Sequence, residues 1–306
     1  MTRDISITLA ISTYNRADSL RETLASVLPQ IQAAKSCDLL VVLNNCTDHT
    51  LDVLVEFDST YDFNHINEPE QGLAACRNAA LRNTSSSYVL FCDDDITLCP
   101  GFIEAYEDAI SRYRGIGFVG GRIKPRWNGA RPAWVRDESM SVLAGLFGYY
   151  NLGSDVRLYG DHDPLPFGAN FGISRELVPV IGEFDTRFGV KGEVPGRSEE
   201  TEFLERAVGR GARGVYVGTA VALHRISAER FTIGYLYAYG KEKGRSLALL
   251  RDHDTTSRIA NRRSWAFSLA RGLYQLAKRR GDRARQCLVN AGISAGAMKR
   301  GSSSGA

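Results

Sequence analysis

From Ile5 the chain alternates, Ile5-Ser6-Ile7-Thr8-Leu9-Ala10-Ile11, and then changes period, with Leu20, Leu24, Val27, Leu28 and Ile31 at helical spacing. A period of two predicts a strand, and the wider spacing predicts a helix that packs by one face. The pattern then repeats. Asp38 to Asn44 predicts a second strand, with Thr47 or Asp48 as N-cap of the following helix, and Gln71 to Asn83 predicts another helix. Tyr88 to Asp93 predicts a buried strand. Strands alternating with helices predict an α/β fold, a mostly parallel sheet flanked by helices in Rossmann-like layers, with ligands beyond the carboxyl ends of the strands. Three polar clusters fall at such ends: Thr13-Tyr14-Asn15-Arg16, Asn44-Asn45-Cys46-Thr47-Asp48 and Asp93-Asp94-Asp95.

After Gly121 the alternation weakens. Residues 122–166, with Trp127, Trp134 and Tyr149-Tyr150, read as irregular loops and short strands over a binding face. Regular patterning returns near Phe167 and predicts a helix over Glu199 to Arg210, a strand pair or bent strand over Gly214 to Leu223, and a helix over Ile233 to Leu250. The division expected is a domain of 1–228, a basic helical extension of 229–300 and a flexible Gly/Ser-rich end of 301–306.

Composition narrows this picture. With 306 residues and 43% hydrophobic content the chain buries a large core, which excludes a disordered protein. Its six cysteines form no CxxC pair, so neither a zinc ribbon nor a disulfide framework is expected, and a cytoplasmic location fits reduced thiols. No apolar h-region follows Arg3 and Asp4, and no window approaches the roughly 18 apolar residues of a membrane span. The net charge of +3 conceals an asymmetry, because Arg262 to Arg300 holds ten Lys/Arg against Asp282 alone. A basic tail on an acidic body points to an anionic surface as partner.

Each candidate for chemistry has a bland alternative. Asp93, Asp94 and Asp95 either form a solvated strand end or hold a hard divalent cation, Mn2+ or Mg2+. Glu199, Glu200 and Glu202 either complement a helix dipole or supply a general base. His224 reads as a partly buried histidine or as a ligand for a manganese-type ion. Gly115 to Gly120 matches GxGxxG but follows a predicted helix, Pro100 to Arg114, and enters a strand, so a helix-to-strand turn explains it better than a dinucleotide site.

In order along the chain, Ser12-Thr13-Tyr14-Asn15-Arg16, Asn44 to Asp48, Gln71-Gly72 through Ala75-Cys76-Arg77-Asn78, Asp93-Asp94-Asp95 and Gly168 to Arg175 are followed by Gly182-Glu183-Phe184-Asp185, Glu199 to Glu202 and His224. This series, over about residues 5–225, resembles the family 2 glycosyltransferases and their type-A nucleotide-sugar transferase fold. The resemblance implies that 1–228 is the catalytic domain of an inverting enzyme, which moves a sugar from a nucleoside-diphosphate donor to an acceptor hydroxyl in bacterial-type glycan, glycolipid or glycoconjugate biosynthesis. It implies that Thr13, Tyr14, Asn15, Arg16 and Asn44 line the nucleotide pocket and that Arg77 lies near the diphosphate. Asp93 and Asp94 belong to the same donor site, Asp93 and Asp95 form the DxD pair, Asp95 ligates Mn2+ or Mg2+, and His224 completes the metal site. Glu200, or its neighbour Glu199, becomes the base.

Asn44 stands where relatives carry an aspartate, and an amide that accepts from N3–H while donating to O4 favours UDP or dTDP over GDP. Two other classes compete: a sugar-phosphate nucleotidyltransferase, whose Gly-rich loop is absent after the first strand, and a non-catalytic nucleotide-sugar binder. No nucleic acid is expected as partner. A lipid-linked glycan is one acceptor type, and 262–285, where Trp265, Leu269, Leu273 and Leu276 recur beside Arg271, Lys278, Arg279 and Arg280, reads either as a peripheral contact with the inner face of a membrane or as a helix packed on the catalytic domain with its basic face in water.

Overall fold

A computed structural model describes residues 5–129, 131, 135, 144–191, 198–250, 285, 287–291 and 293–295. The first half runs β1 (Ile7–Thr13), α1 (Ala17–Ala33), β2 (Cys37–Leu43), α2 (Thr50–Asp58), β3 (Asn64–Asn67), α3 (Leu73–Arg82), β4 (Tyr88–Asp93), β5 (Ile96–Leu98) and α4 (Phe102–Arg112). Then come β6 (Phe118–Trp127), α5 (Ala144–Phe147), β7 (Val156–Leu158), β8 (Asn170–Ser174), α6 (Val178–Ile181), α7 (Glu199–Gly209), β9 (Gly214–Ile226) and α8 (Ile233–Leu250).

Alternation in β1 sends Ile7, Leu9 and Ile11 to one face of the sheet and Ala10 to the other. On the first face α1 buries Leu20, Leu24, Val27 and Leu28, and α4 adds Phe102, Ile103 and Ile110. Each such side chain contributes about 2 kcal/mol on leaving water. On the second face α3 presents small residues, Ala74, Cys76, Ala79 and Ala80, and α7 adds Phe203 and Leu204 against Phe91, Phe171 and Phe184.

The nine strands follow the order β3-β2-β1-β4-β8-β6-β9-β5, with β7 pairing β9. β3, β2, β1 and β4 are parallel, as strand-helix alternation predicts, whereas β8 joins β4 antiparallel and starts an antiparallel half. The sheet is therefore mixed. β3 reads Asn-His-Ile-Asn and β5 spans three residues, so neither carries a periodic signal. Gly214 to Ile226 is one long strand. Gly115, at φ +71°, turns the chain between α4 and β6, the role expected of the GxGxxG match. The N-cap of α2 is His49 and neither Thr47 nor Asp48, though Asp48, one residue earlier, accepts from the Thr50 N–H and hydroxyl through Oδ1.

The chain divides into two compact units, one of Met1–Arg126, Tyr150–Arg187 and Glu199–Arg225, the other of Trp127–Tyr149, Phe188–Ser198 and Ile226–Ala306. The second unit thus takes in two segments that the sequence reading assigned to 1–228. It has its own apolar cluster of Val135, Leu146, Phe147, Leu236, Tyr239 and Val289. Within it Gly244 lies so close to the Ile293 backbone that a Cβ would meet the carbonyl oxygen. All six cysteines are free thiols. Among the described residues no helix is long and apolar enough to cross a membrane. Trp134 and the expected membrane-contact helix, apart from Arg285, lie outside the described residues.

Candidate active site

The parallel register aligns Ser12 of β1 with Asp93 at the end of β4, and the chain then turns through Asp94 and Asp95 into β5. Antiparallel pairing sets Ile96 opposite His224 of β9, so the imidazole meets the turn. One ligand atom each from Asp93, Asp95 and His224 lies within 4.8 Å of the other two. His224 Nε2 is 3.2 Å from Asp95 Oδ1. Around a magnesium-sized ion, opposite ligands lie roughly 4.2 Å apart, so two carboxylates and an imidazole at this spacing fit a hard divalent cation with positions left for substrate oxygens.

Asp94 faces a different way. Its carboxylate accepts from the Thr13 hydroxyl at 2.8 Å and from Arg16 Nη1 at 2.6 Å, while Arg16 Nη2 reaches Asp95 Oδ2 at 3.0 Å. Burial pushes the Asp94 carboxyl up to about 7 against the opposing pull of Arg16, with the Asp95 charge adding to the rise. The Asp93 carboxyl is likewise raised, first by burial and then by Asp95. Asp93 and Asp94 share too little solvent to ionise freely beside Asp95, and a bound cation would relieve that.

Behind the turn, Arg77 lies fully buried and donates to Glu199 Oε1 at 2.8 Å and to the Gly168 carbonyl at 3.2 Å. Its guanidinium carbon sits 5.0 Å from the ring centroid of Phe171 and 5.6 Å from that of Phe91. These contacts make Arg77 the partner of Glu199: its fork is occupied by protein groups and enclosed by aromatic rings, where the resemblance implied a place near the diphosphate. Glu200, next on α7, is half-buried. Burial, and after it the charge of Glu199, push its carboxyl up to about 7, with Arg77 pulling the other way and Asp93 also adding to the rise. The two glutamates therefore differ chemically. Glu199 is tied to Arg77 in a buried ion pair, whereas Glu200 is poised to take a proton near neutral pH.

Asn44 also departs from expectation. Its amide donates to the carbonyls of Glu68 and Glu70, and its Oδ1 accepts from Gln71 Nε2 and the Gly72 N–H, all at 2.8–2.9 Å. Two donors and two lone pairs are then in use, so Asn44 shapes the 68–72 loop and has no edge left for a base. The argument for UDP or dTDP over GDP falls with it.

Asn15 sits at φ 49°, which asparagine tolerates, and its Oδ1 accepts from the Thr47 and Asp48 N–H groups, joining two strand-end loops. Tyr14 is half-buried beside it and Arg16 half-exposed. Asp48 Oδ2 in turn accepts from the Ala17 N–H at the start of α1. Ser19, Thr23 and Gly168 also border the site, and sequence reasoning gave them no role. Arg225 was missed too, although a charged residue inside the apolar run of β9 was a visible signal.

The family model for glycosyl transferase family 2 matches residues 8–182. A curated relative, the glucosyl-dolichyl phosphate glucuronosyltransferase of Haloferax volcanii, is 25% identical over 75% of this chain and 72% of its own length. Two further curated relatives are spanned over only 17% and 45% of their own length. Among solved structures, a mannosyltransferase of Pyrobaculum calidifontis in complex with GDP-Man and Mn2+ superposes with TM-score 0.61 at 17% identity, covering 96% of this chain and 88% of that one. The glucosyl-3-phosphoglycerate synthase of Mycobacterium tuberculosis, in complex with Mn2+, UDP and phosphoglyceric acid, gives TM-score 0.54 at 19% identity over 82% of this chain and 80% of its own. Both share the fold.

Proposed function

Because the chain belongs to glycosyl transferase family 2, we propose that it is an inverting, metal-dependent enzyme that moves a sugar from a nucleoside-diphosphate donor to an acceptor hydroxyl, with Glu200 as general base. The observation that carries this reading is the juxtaposition of two kinds of acid: Asp93 and Asp95 grouped with His224, and a glutamate raised to about 7 that feels the Asp93 charge. A divalent cation held by Asp93, Asp95 and His224 would neutralise the donor diphosphate as it leaves. Glu200 takes the proton of the acceptor hydroxyl while its oxygen bonds to the anomeric carbon and the bond to the diphosphate breaks, which inverts that centre. Glu199, fixed by Arg77, lies beside Glu200 and is, after burial, the largest cause of its raised basicity.

Arg16 already carries positive charge at the acidic turn, and its half-exposed side chain suits it to follow a diphosphate there. The relative that acts on a glucosyl-dolichyl phosphate supports a lipid-linked glycan as acceptor. Nucleoside diphosphate released from a panel of donor sugars with Mn2+ tests the reading. The wild type should turn over at least one donor, and Glu200→Gln should lose most turnover, on the order of a hundredfold or more, while binding the donor as before. Near-normal turnover in Glu200→Gln with Glu199→Gln inactive would transfer the base to Glu199. Tight binding of every donor without metal-dependent release would leave a binding protein.

A further inference from the structure

We propose that Arg225 is a positioning residue that holds the acidic turn in the shape a divalent cation requires. The inference rests on the metal reading of Asp93, Asp95 and His224. Three successive carbonyls of the turn accept from this one residue. Nη2 reaches Asp94 O at 3.1 Å, the Arg225 N–H reaches Asp95 O at 2.9 Å, and Nη1 reaches Ile96 O at 2.6 Å. The same guanidinium ties the turn to α1 through Ser19 O at 2.6 Å, Ser19 Oγ at 3.0 Å and Thr23 Oγ1 at 2.8 Å. Both hydroxyls in turn reach Asp94 O.

Arg225 is 7% exposed, and the carboxylate nearest it, Glu22, is 3.4 Å away with a side chain 62% exposed. Filling that volume with an apolar side chain would avoid the cost of burying a cation whose nearest counter-charge is so exposed. A planar fork does something an apolar group cannot, since it grips two carbonyls of one turn and the helix beside it together. Arg225 also follows His224 directly. One residue therefore sets the imidazole and the Asp95 backbone relative to each other, and the convergence of the three ligand atoms within 4.8 Å depends on that relation.

The test is Mn2+ titration of the full chain, read by the electron spin resonance of free Mn2+, for the wild type, Asp95→Asn, Arg225→Met and Arg225→Lys. Arg225→Met should raise the Mn2+ Kd about tenfold or more, as losses of outer-shell partners do. Arg225→Lys should fall between, because an ammonium keeps the charge without the fork. Thermal unfolding of the same variants, with and without Mn2+, separates positioning from simple destabilisation. An Arg225→Met chain that melts lower by the same amount in both conditions and keeps the wild-type Kd overturns the inference. Should that variant fail to fold, Ser19→Ala and Thr23→Val loosen the same clamp from the helix side; a Kd raised a few-fold supports the proposal and an unchanged one overturns it. Equal Mn2+ binding by wild type and Asp95→Asn would remove the metal reading itself, and the inference with it.

Discussion

A carboxyl group held at about 7 is split between its two protonation states at neutral pH, and Glu200 is such a group. Turnover should therefore rise with pH through about 7 and level off above it, as the base form fills. Glu199→Gln removes the charge that, after burial, contributes most to the rise, so the ascending limb should move to lower pH while the amide still accepts from Arg77; kcat followed against pH checks this. The same shift acts on folding. Between its ordinary 4.5 and about 7 the folded chain keeps a proton that the unfolded chain has released, so at this site stability is greatest below 4.5 and is lost as pH rises through 7. Residue identity alone reveals much less than this. Asp93, Asp95, His224 and the glutamate pair were legible because their chemistry is rare in such an order. The bonds that Asn44 and Arg77 make were not legible, because a side chain's type says what it can bond, while only the fold says which neighbours have taken those bonds.

At the scale of elements, strong periodicity was read well and weak periodicity badly. Tyr88–Asp93 and Ile233–Leu250 have the limits that their patterns predict, because a fully apolar strand and a long helix each carry redundant signal. β5 is too short to carry any, yet it completes the acidic turn and pairs it with His224. The loop that leads into β8 is as consequential. A Cβ on Gly168 would lie 2.6 Å from Arg77 Nη2 and 3.5 Å from the Glu200 carboxyl carbon. Arg77 is enclosed by rings and cannot swing aside, so Gly168→Ala must displace the arginine or the loop, at about 1–3 kcal/mol. The expected outcome is a lower Tm and a turnover at least tenfold below wild type, with donor affinity close to normal; calorimetry and steady-state kinetics on one preparation check both.

For the whole molecule, strand-helix alternation announced the parallel half of the sheet and could not announce the antiparallel half. Strand order is fixed by contacts between distant residues, such as Tyr88 with Ser174, that leave no trace in local pattern. The basic tail is a property of the same scale. The charge of 262–285 predicts that the chain pellets with anionic vesicles and not with neutral ones, more weakly as salt rises. Reversing Lys278, Arg279 and Arg280 to Glu is a better probe than truncation, because the second unit packs Val289 in its apolar cluster. Equal pelleting of the reversed chain and wild type would remove the membrane contact.

The crowded acids at the end of β4 make the protein less durable than its sequence allows. Asp93 is held above its ordinary range by burial and by Asp95, so its ionised form works against the fold. Asp93→Asn should then melt higher than wild type in EDTA, because the amide leaves no charge to bury beside Asp95. The same variant should gain little from Mn2+ and should transfer no sugar. Differential scanning in EDTA and in Mn2+ reads both effects, and a lower EDTA midpoint for the variant would contradict the account. In a population of chains without metal, the inactive form would outlast the active one: at this turn, function is kept at the expense of permanence.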